Sequence, residues 1–248
     1  MLYSPLEQFQ IISIIPIEIF GFNISITNST IMMLIVFLLI TTGFNKAISG
    51  NRIVPIRKQA VVESIYEFVY NMLYENVGEK GNQYFPFIFV LFIFLLVCNL
   101  IGMIPYSFTV TSHLIVTFFL SLSIFIGVTI IGFVHHRLHF FSFFLPPGSP
   151  VALGPFLVVI ELISYVSRAF SLAIRLFANM MSGHSLLKIL AGFAWSMLSF
   201  GGIFYILHLI PLIIVFLITG LEIGIAILQA YVFTVPTCIY LNDSINLH

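Results

Sequence analysis

With 248 residues, 60% of them hydrophobic and only 7% charged, the chain lies far below the roughly 25% of charged residues in an ordinary soluble domain and reads as an integral membrane protein. Nine basic and nine acidic residues cancel to a formal net charge of zero, which argues against nucleic acid or another polyanion as a partner held by charge. Cys98 and Cys238 belong to no CxxC or His-rich pattern and read as small apolar packing residues, so neither a metal nor a cofactor is expected.

The start, MLYSPLEQFQ, lacks the basic region, apolar core and cleavage site of a signal peptide. After this polar beginning, TIMMLIVFLLITTGF over residues 30–44 predicts a first spanning helix within about 30–45. Lys46, Arg52, Arg57 and Lys58 follow. Basic loops stay on the side from which a membrane protein is inserted, so the amino terminus is expected on the opposite side. Over residues 59–80, Glu63, Glu67, Glu75 and Glu79 recur at helical spacing with Val, Ile, Phe, Tyr and Leu between them. This predicts an amphipathic helix lying along the membrane surface.

Residues 81–136 contain no Asp, Glu, Lys or Arg, and further uncharged runs cover 19–45, 189–221 and 223–242. Segments 84–105 and 111–133 predict a transmembrane hairpin within 84–134, joined through the uncharged YSFTV and followed by HHRLH at 135–139. Those histidines could bind a metal, but beside an arginine in a basic loop they read as surface anchors, as do His113 and His208. FFSFFLPPGSP, residues 140–150, cannot continue a helix, because proline lacks the backbone donor and clashes with the preceding turn. Beyond it, 151–188 and 205–241 predict two long helices making a hairpin over 151–241. A helix much longer than the ~30 Å hydrocarbon core must tilt or bend. The expected fold is all-α, with about five membrane helices, one amphipathic surface helix and two long, strongly tilted helices at the carboxyl end. No internal repeat or linker divides residues 1–248, so a single integral membrane domain is expected.

The first long helix carries a polar stripe. At 100° per residue, Glu161, Arg168, Arg175 and Asn179, with Ser164, Ser171 and Ser182, fall within a face about 80° wide. Lipid should not touch that face, since a charged side chain at the bilayer centre costs at least about 2.5 kcal/mol and marks function by default. His184 lies on the other side of the helix from Arg175, roughly 13–14 Å along the axis, with Glu161 roughly 21 Å away in the opposite direction. On the last helix, Glu222, Gln229 and Asp243 recur at multiples of seven and share a face. Gly220 and Gly224, four apart, would allow ordinary close helix packing. A bland reading makes ion pairs of Arg175 with Glu222 or Arg168 with Glu161, although such pairs contribute little to stability. MSGHS offers a serine beside a histidine without a GxSxG elbow or a third member, which disfavours intramembrane proteolysis.

SLAIRLFANMMSGH (171–184), NLIGMIPYSFTVTSH (99–113) and LEIGIAILQAYVF (221–233), together with SPLEQF and YLNDSINLH, resemble the subunit a family of F-type ATP synthases, in particular its mitochondrial form. The resemblance implies the stator half of a rotary proton turbine in the mitochondrial inner membrane. Its two long helices would pack against a ring of c subunits, with peripheral-stalk subunit b and other small membrane subunits as further partners. Arg175 matches the essential arginine, whose guanidinium keeps its proton and so separates two offset aqueous paths. The resemblance assigns His184, Glu222, Asn179 and Gln229 to the path from the intermembrane side. It assigns Glu161 and Asp243 to the path toward the matrix, and Arg168 to support. Gly102 stands where some bacterial members have an acid and takes no proton role. Having no GxxxxGK[ST] loop, the chain is expected to couple proton flow rather than hydrolyse nucleotide. A stand-alone secondary transporter, which would show paired repeats with interrupted helices, and a structural scaffold are the alternatives.

Overall fold

The computed structural model describes residues 4–19, 22–23, 25–48, 55–104, 107–137, 140, 154–202 and 204–246. Arg52, the Phe/Pro loop 141–150, the expected helix start at Val151 and the last histidine of HHRLH lie outside the described residues. Among the described residues, seven α-helices dominate: α1 (Asn28–Ile48), α2 (Arg57–Val77), α3 (Phe85–Gly102), α4 (Leu114–His136), α5 (Gly154–Phe200), α6 (Phe204–Leu207) and α7 (Leu209–Ile245). Among the described residues, five helical segments are long and apolar enough to cross a membrane: Asn28–Ile48, Glu79–Gly102, Leu114–His136, Gly154–Phe200 and Phe204–Ile245. The protein is therefore all-α and polytopic. Helix is the form an open chain must take in lipid, where every backbone N–H and C=O needs a partner within the protein.

The first long helix is longer than expected. It continues past Lys188 to Phe200, 47 residues in all, or about 70 Å at 1.5 Å per residue. Its stop is chemical: Gly201 and Gly202 take φ values of 68° and 63°, a left-handed turn that side chains disfavour. The last segment is not one helix from Tyr205 onward, because the short α6 ends at Leu207 and the 37-residue α7 begins at Leu209. The polar beginning also holds structure that sequence reading missed. Four short strands, β1 (Ser13–Ile15), β2 (Glu18–Ile19), β3 (Phe22–Asn23) and β4 (Ile26–Thr27), form two antiparallel pairs, β1 with β4 and β2 with β3. Asn28 ties this hairpin to α1, donating from Nδ2 to the Gln10 carbonyl at 3.0 Å.

Contacts divide the chain into two compact units. The first comprises Met1–Lys46, Ile93–His113 and Phe177–Ala230. Its buried residues include Leu95, Cys98 and Asn99 of α3, Met180 of α5 and Ala226 of α7. After α3, Ser107 Oγ donates to the Ile101 carbonyl at 2.6 Å. A Cβ at Gly102 would lie 2.6 Å from Thr109 Cγ2, which gives that glycine a packing reason. His113 stacks on Phe108 with ring centroids 5.0 Å apart, and burial holds its pKa below the ordinary histidine value.

The second unit comprises Ala47–Phe92, Leu114–Leu176 and Tyr231–His248. The amphipathic α2 buries Val69, Met72, Leu73 and Val77, spaced as one helical face, and leaves Glu63, Glu67 and Glu75 exposed. Gly78, with φ of 75°, ends α2 by returning its N–H to the Tyr74 carbonyl. Phe68 of α2 meets Phe92 and Tyr231 at 5.8 and 5.9 Å between centroids. Ser121 Oγ on α4 donates to the Ala169 carbonyl of α5 at 2.6 Å, a polar link of the kind that orders helices where lipid supplies no hydrophobic drive. At the carboxyl end of α7, Lys80 reaches Asn246 Oδ1 at 2.9 Å and His136 Nε2 donates to the Ile245 carbonyl at 3.0 Å.

Candidate functional site

In the first unit, α5 and α7 bring together all four residues expected on the intermembrane path. His184 Nδ1 lies 3.7 Å from Glu222 Oε1, and Asn179 Nδ2 donates to Gln229 Oε1 at 2.8 Å. Glu222 and Gln229 are each only 4% exposed. Gly183 explains how a carboxyl fits between two helices, since a Cβ there would run into Glu222 Oε1. Both Glu222 oxygens, His184 Nε2 and Gln229 Nε2 are buried without a hydrogen-bond partner among the described residues. Buried polar groups are normally paired, so these atoms set the cluster apart from the apolar packing around it.

Sequence reading missed what borders this cluster. The Phe9 and His184 rings meet at a steep angle with centroids 6.4 Å apart, and Lys188 Nζ donates to the Ser4 carbonyl at 3.3 Å. SPLEQF thus sits beside the histidine. Asn99 was also missed. Its Nδ2 donates to the Ala226 carbonyl at 3.2 Å, and its Oδ1 accepts from Thr111 Oγ1 at 3.0 Å. A buried asparagine within an uncharged span was the available signal.

In the second unit, Arg168 Nη1 donates to Asp243 Oδ2 at 3.1 Å, with 25% and 30% of the two side chains exposed. The same guanidinium carbon stands 5.4 Å from the Tyr240 ring centroid and 5.9 Å from that of Tyr165, a geometry favourable to a cation. Tyr165 OH is held by Thr129 Oγ1 at 2.9 Å. The bland pairing of Arg168 with Glu161, which the sequence disfavoured, is not made: the acid that meets Arg168 is on α7. Glu161 is half-buried, and its side chain has no hydrogen bond or ion pair among the described residues. Arg175 is exposed on its helix, and its side chain likewise has no hydrogen bond or ion pair among the described residues. Gly220 and Gly224 are exposed, and a Cβ on either would meet nothing within 4 Å. The helix packing expected of that pair is not made within this chain among the described residues.

These features define a class: a polytopic helical membrane protein whose two longest helices carry ionisable groups inside otherwise apolar spans. Comparison with known proteins gives the family. The profile of the family described as ATP synthase A chain matches residues 26–242. The chain is 58% identical to the ATP synthase subunit a of Marchantia polymorpha, with both chains fully covered. It is 56% identical to that of Chondrus crispus and 58% identical to that of Brassica napus, each alignment covering 99% of this chain and 97% of the relative. The chain belongs to the ATP synthase A chain family.

Proposed function

We propose that this chain is the proton-translocating stator subunit of the membrane sector of ATP synthase, working as a multi-pass protein of the mitochondrial inner membrane. It offers two offset half-channels to a rotating ring of c subunits, with subunit b and other small membrane subunits beside it. The observation that carries this reading is Arg175: a permanently charged guanidinium, exposed on an apolar helix, with no carboxylate partner among the described residues. Leaving such a charge unpaired in lipid is costly, so its counter-ion comes from a neighbouring molecule. A ring carboxylate fits that need, and a guanidinium attracts each passing carboxylate without giving up its own proton.

On one side of Arg175, protons pass through His184 and Glu222, with Asn179 and Gln229 lining the path. The unpartnered buried atoms of this cluster support that role, because a carboxyl and an imidazole can each accept and release a proton where an amide only orients one. On the other side, Glu161 and Asp243 release protons, and Arg168 orients Asp243. The chain binds no nucleotide and couples rather than catalyses. Each elementary charge that crosses 100 mV delivers about 2.3 kcal/mol to the rotor.

The test is Arg175→Lys in the whole complex reconstituted into liposomes. ATP-driven proton pumping should fall by about ten-fold or more with assembly intact, since a desolvated ammonium can surrender its proton and a guanidinium cannot. Pumping at the unmodified rate would overturn the assignment.

A further inference from the structure

Asn99 is the most completely buried polar side chain of the first unit, and nothing in the half-channel scheme uses it. Its two hydrogen bonds go to different elements. Ala226 C=O can only accept, so the Asn99 amide must present Nδ2 to it, and Oδ1 is then left for the Thr111 hydroxyl. Thr111 is 3% exposed and comes from the turn between α3 and α4. The asparagine therefore has one orientation, fixed at both ends.

The bonded carbonyl has a telling place. Ala226 stands four residues after Glu222 and three before Gln229, on the same side of α7. All three residues are buried. The rest of α3 offers aliphatic and aromatic side chains without a polar stripe, and such a surface lets a neighbouring helix slide or rotate at little cost. One directional bond to a mid-helix carbonyl removes that freedom. A leucine at position 99 would fill similar space and need no partners, so what the amide adds is geometry.

We propose that Asn99, oriented by Thr111, is a positioning residue for proton transfer: it fixes the height and rotation of α7 that keep Glu222 opposite His184 and Gln229 bonded to Asn179. The inference rests on the half-channel reading above. Its consequence is that transport depends on a hydroxyl, at position 111, that touches none of the proton-carrying groups assigned there.

The experiment measures proton flux per assembled complex in liposomes for Thr111→Val, Thr111→Ser, Asn99→Leu and Glu222→Gln. Thr111→Val keeps the volume and removes the donor, and should lower flux roughly two- to ten-fold, the equivalent of one neutral hydrogen bond. Thr111→Ser should restore it, and Asn99→Leu should fall at least as far as Thr111→Val. Combined with Gln229→Ala, Thr111→Val should cost less than the product of the separate losses, because both act on one geometry. Unchanged flux in Thr111→Val, no rescue by serine, or strictly multiplicative losses would overturn the positioning role. A normal Glu222→Gln would instead overturn the half-channel reading itself, whereas an impaired Glu222→Gln beside a normal Thr111→Val removes only this inference.

Discussion

Gly183 shows how much of the site depends on an absent atom. A Cβ there would strike Glu222 Oε1, with the carboxyl carbon 3.0 Å and Cγ 3.4 Å away. The glutamate would have to swing aside, and its 3.7 Å approach to His184 would change with it. Gly183→Ala is accordingly expected to leave the complex assembled while cutting proton flux several-fold, checked by pumping assays normalised to the amount of intact complex. Flux equal to the unmodified complex would show that the carboxyl has room to spare. Gly192→Ala is the matched control, because nothing lies within 4 Å of its Cβ position and its φ is not left-handed. Helical spacing gathered Asn179 with the arginines of α5 and Glu222 with Gln229 on α7, but it set His184 on the other side of its helix, and only the family resemblance grouped these four residues. It could not reveal Gly183 or Asn99, whose roles depend on a side chain or carbonyl of another element. Nor could it identify the acid that meets Arg168: Glu161 is seven residues away on the same helix, but Asp243 arrives from α7 at 3.1 Å.

At the scale of elements, the paired glycines at 201 and 202 decide where α5 stops. Both have positive φ, and neither has an atom within 4 Å of its Cβ position, so a substitution there acts through the backbone alone. Replacing both with alanine should destabilise the turn by about 1 kcal/mol per residue, because left-handed backbone costs an L side chain about that much. Gly192→Ala, inside regular helix, should stabilise by about 0.4–1 kcal/mol. Thermal unfolding of the purified complex, followed by the loss of this subunit from it, should shift down for the turn variant and up for the helix variant. Equal shifts would mean that the turn tolerates side chains. The apolar runs made the existence of the five spans legible. The end of α5 was not legible, because its last charge, Lys188, was mistaken for its boundary although the helix needs no charge to continue. The four short strands, each two or three residues long, are below the length at which alternation can be recognised.

At the scale of the molecule, the five candidate spans among the described residues and an uneven distribution of basic residues make one prediction about sidedness. Five membrane helices put successive loops on alternate sides, and Lys46, Arg57, Lys58, Lys80 and Arg137 fall in or next to loops expected on a single side. Ser4 and Ile104 should then share the opposite side, with Lys58 and His135 on the basic one. All four are exposed in this chain. The native thiols make the measurement practicable, since Cys98 and Cys238 are 3% and 0% exposed and should remain silent. In sealed membrane vesicles, a membrane-impermeant maleimide should label Ser4→Cys and Ile104→Cys from one face, and Lys58→Cys and His135→Cys only when the vesicles are inverted. Detergent-opened vesicles report which positions neighbouring subunits cover. If Lys58→Cys and Ile104→Cys labelled from the same face, α3 would not cross the bilayer, and Asn99 would lose the membrane setting in which a single amide bond to α7 matters. Alternate labelling at all four positions is what a five-span stator requires, because it leaves the ends of α5 and α7 facing two different compartments.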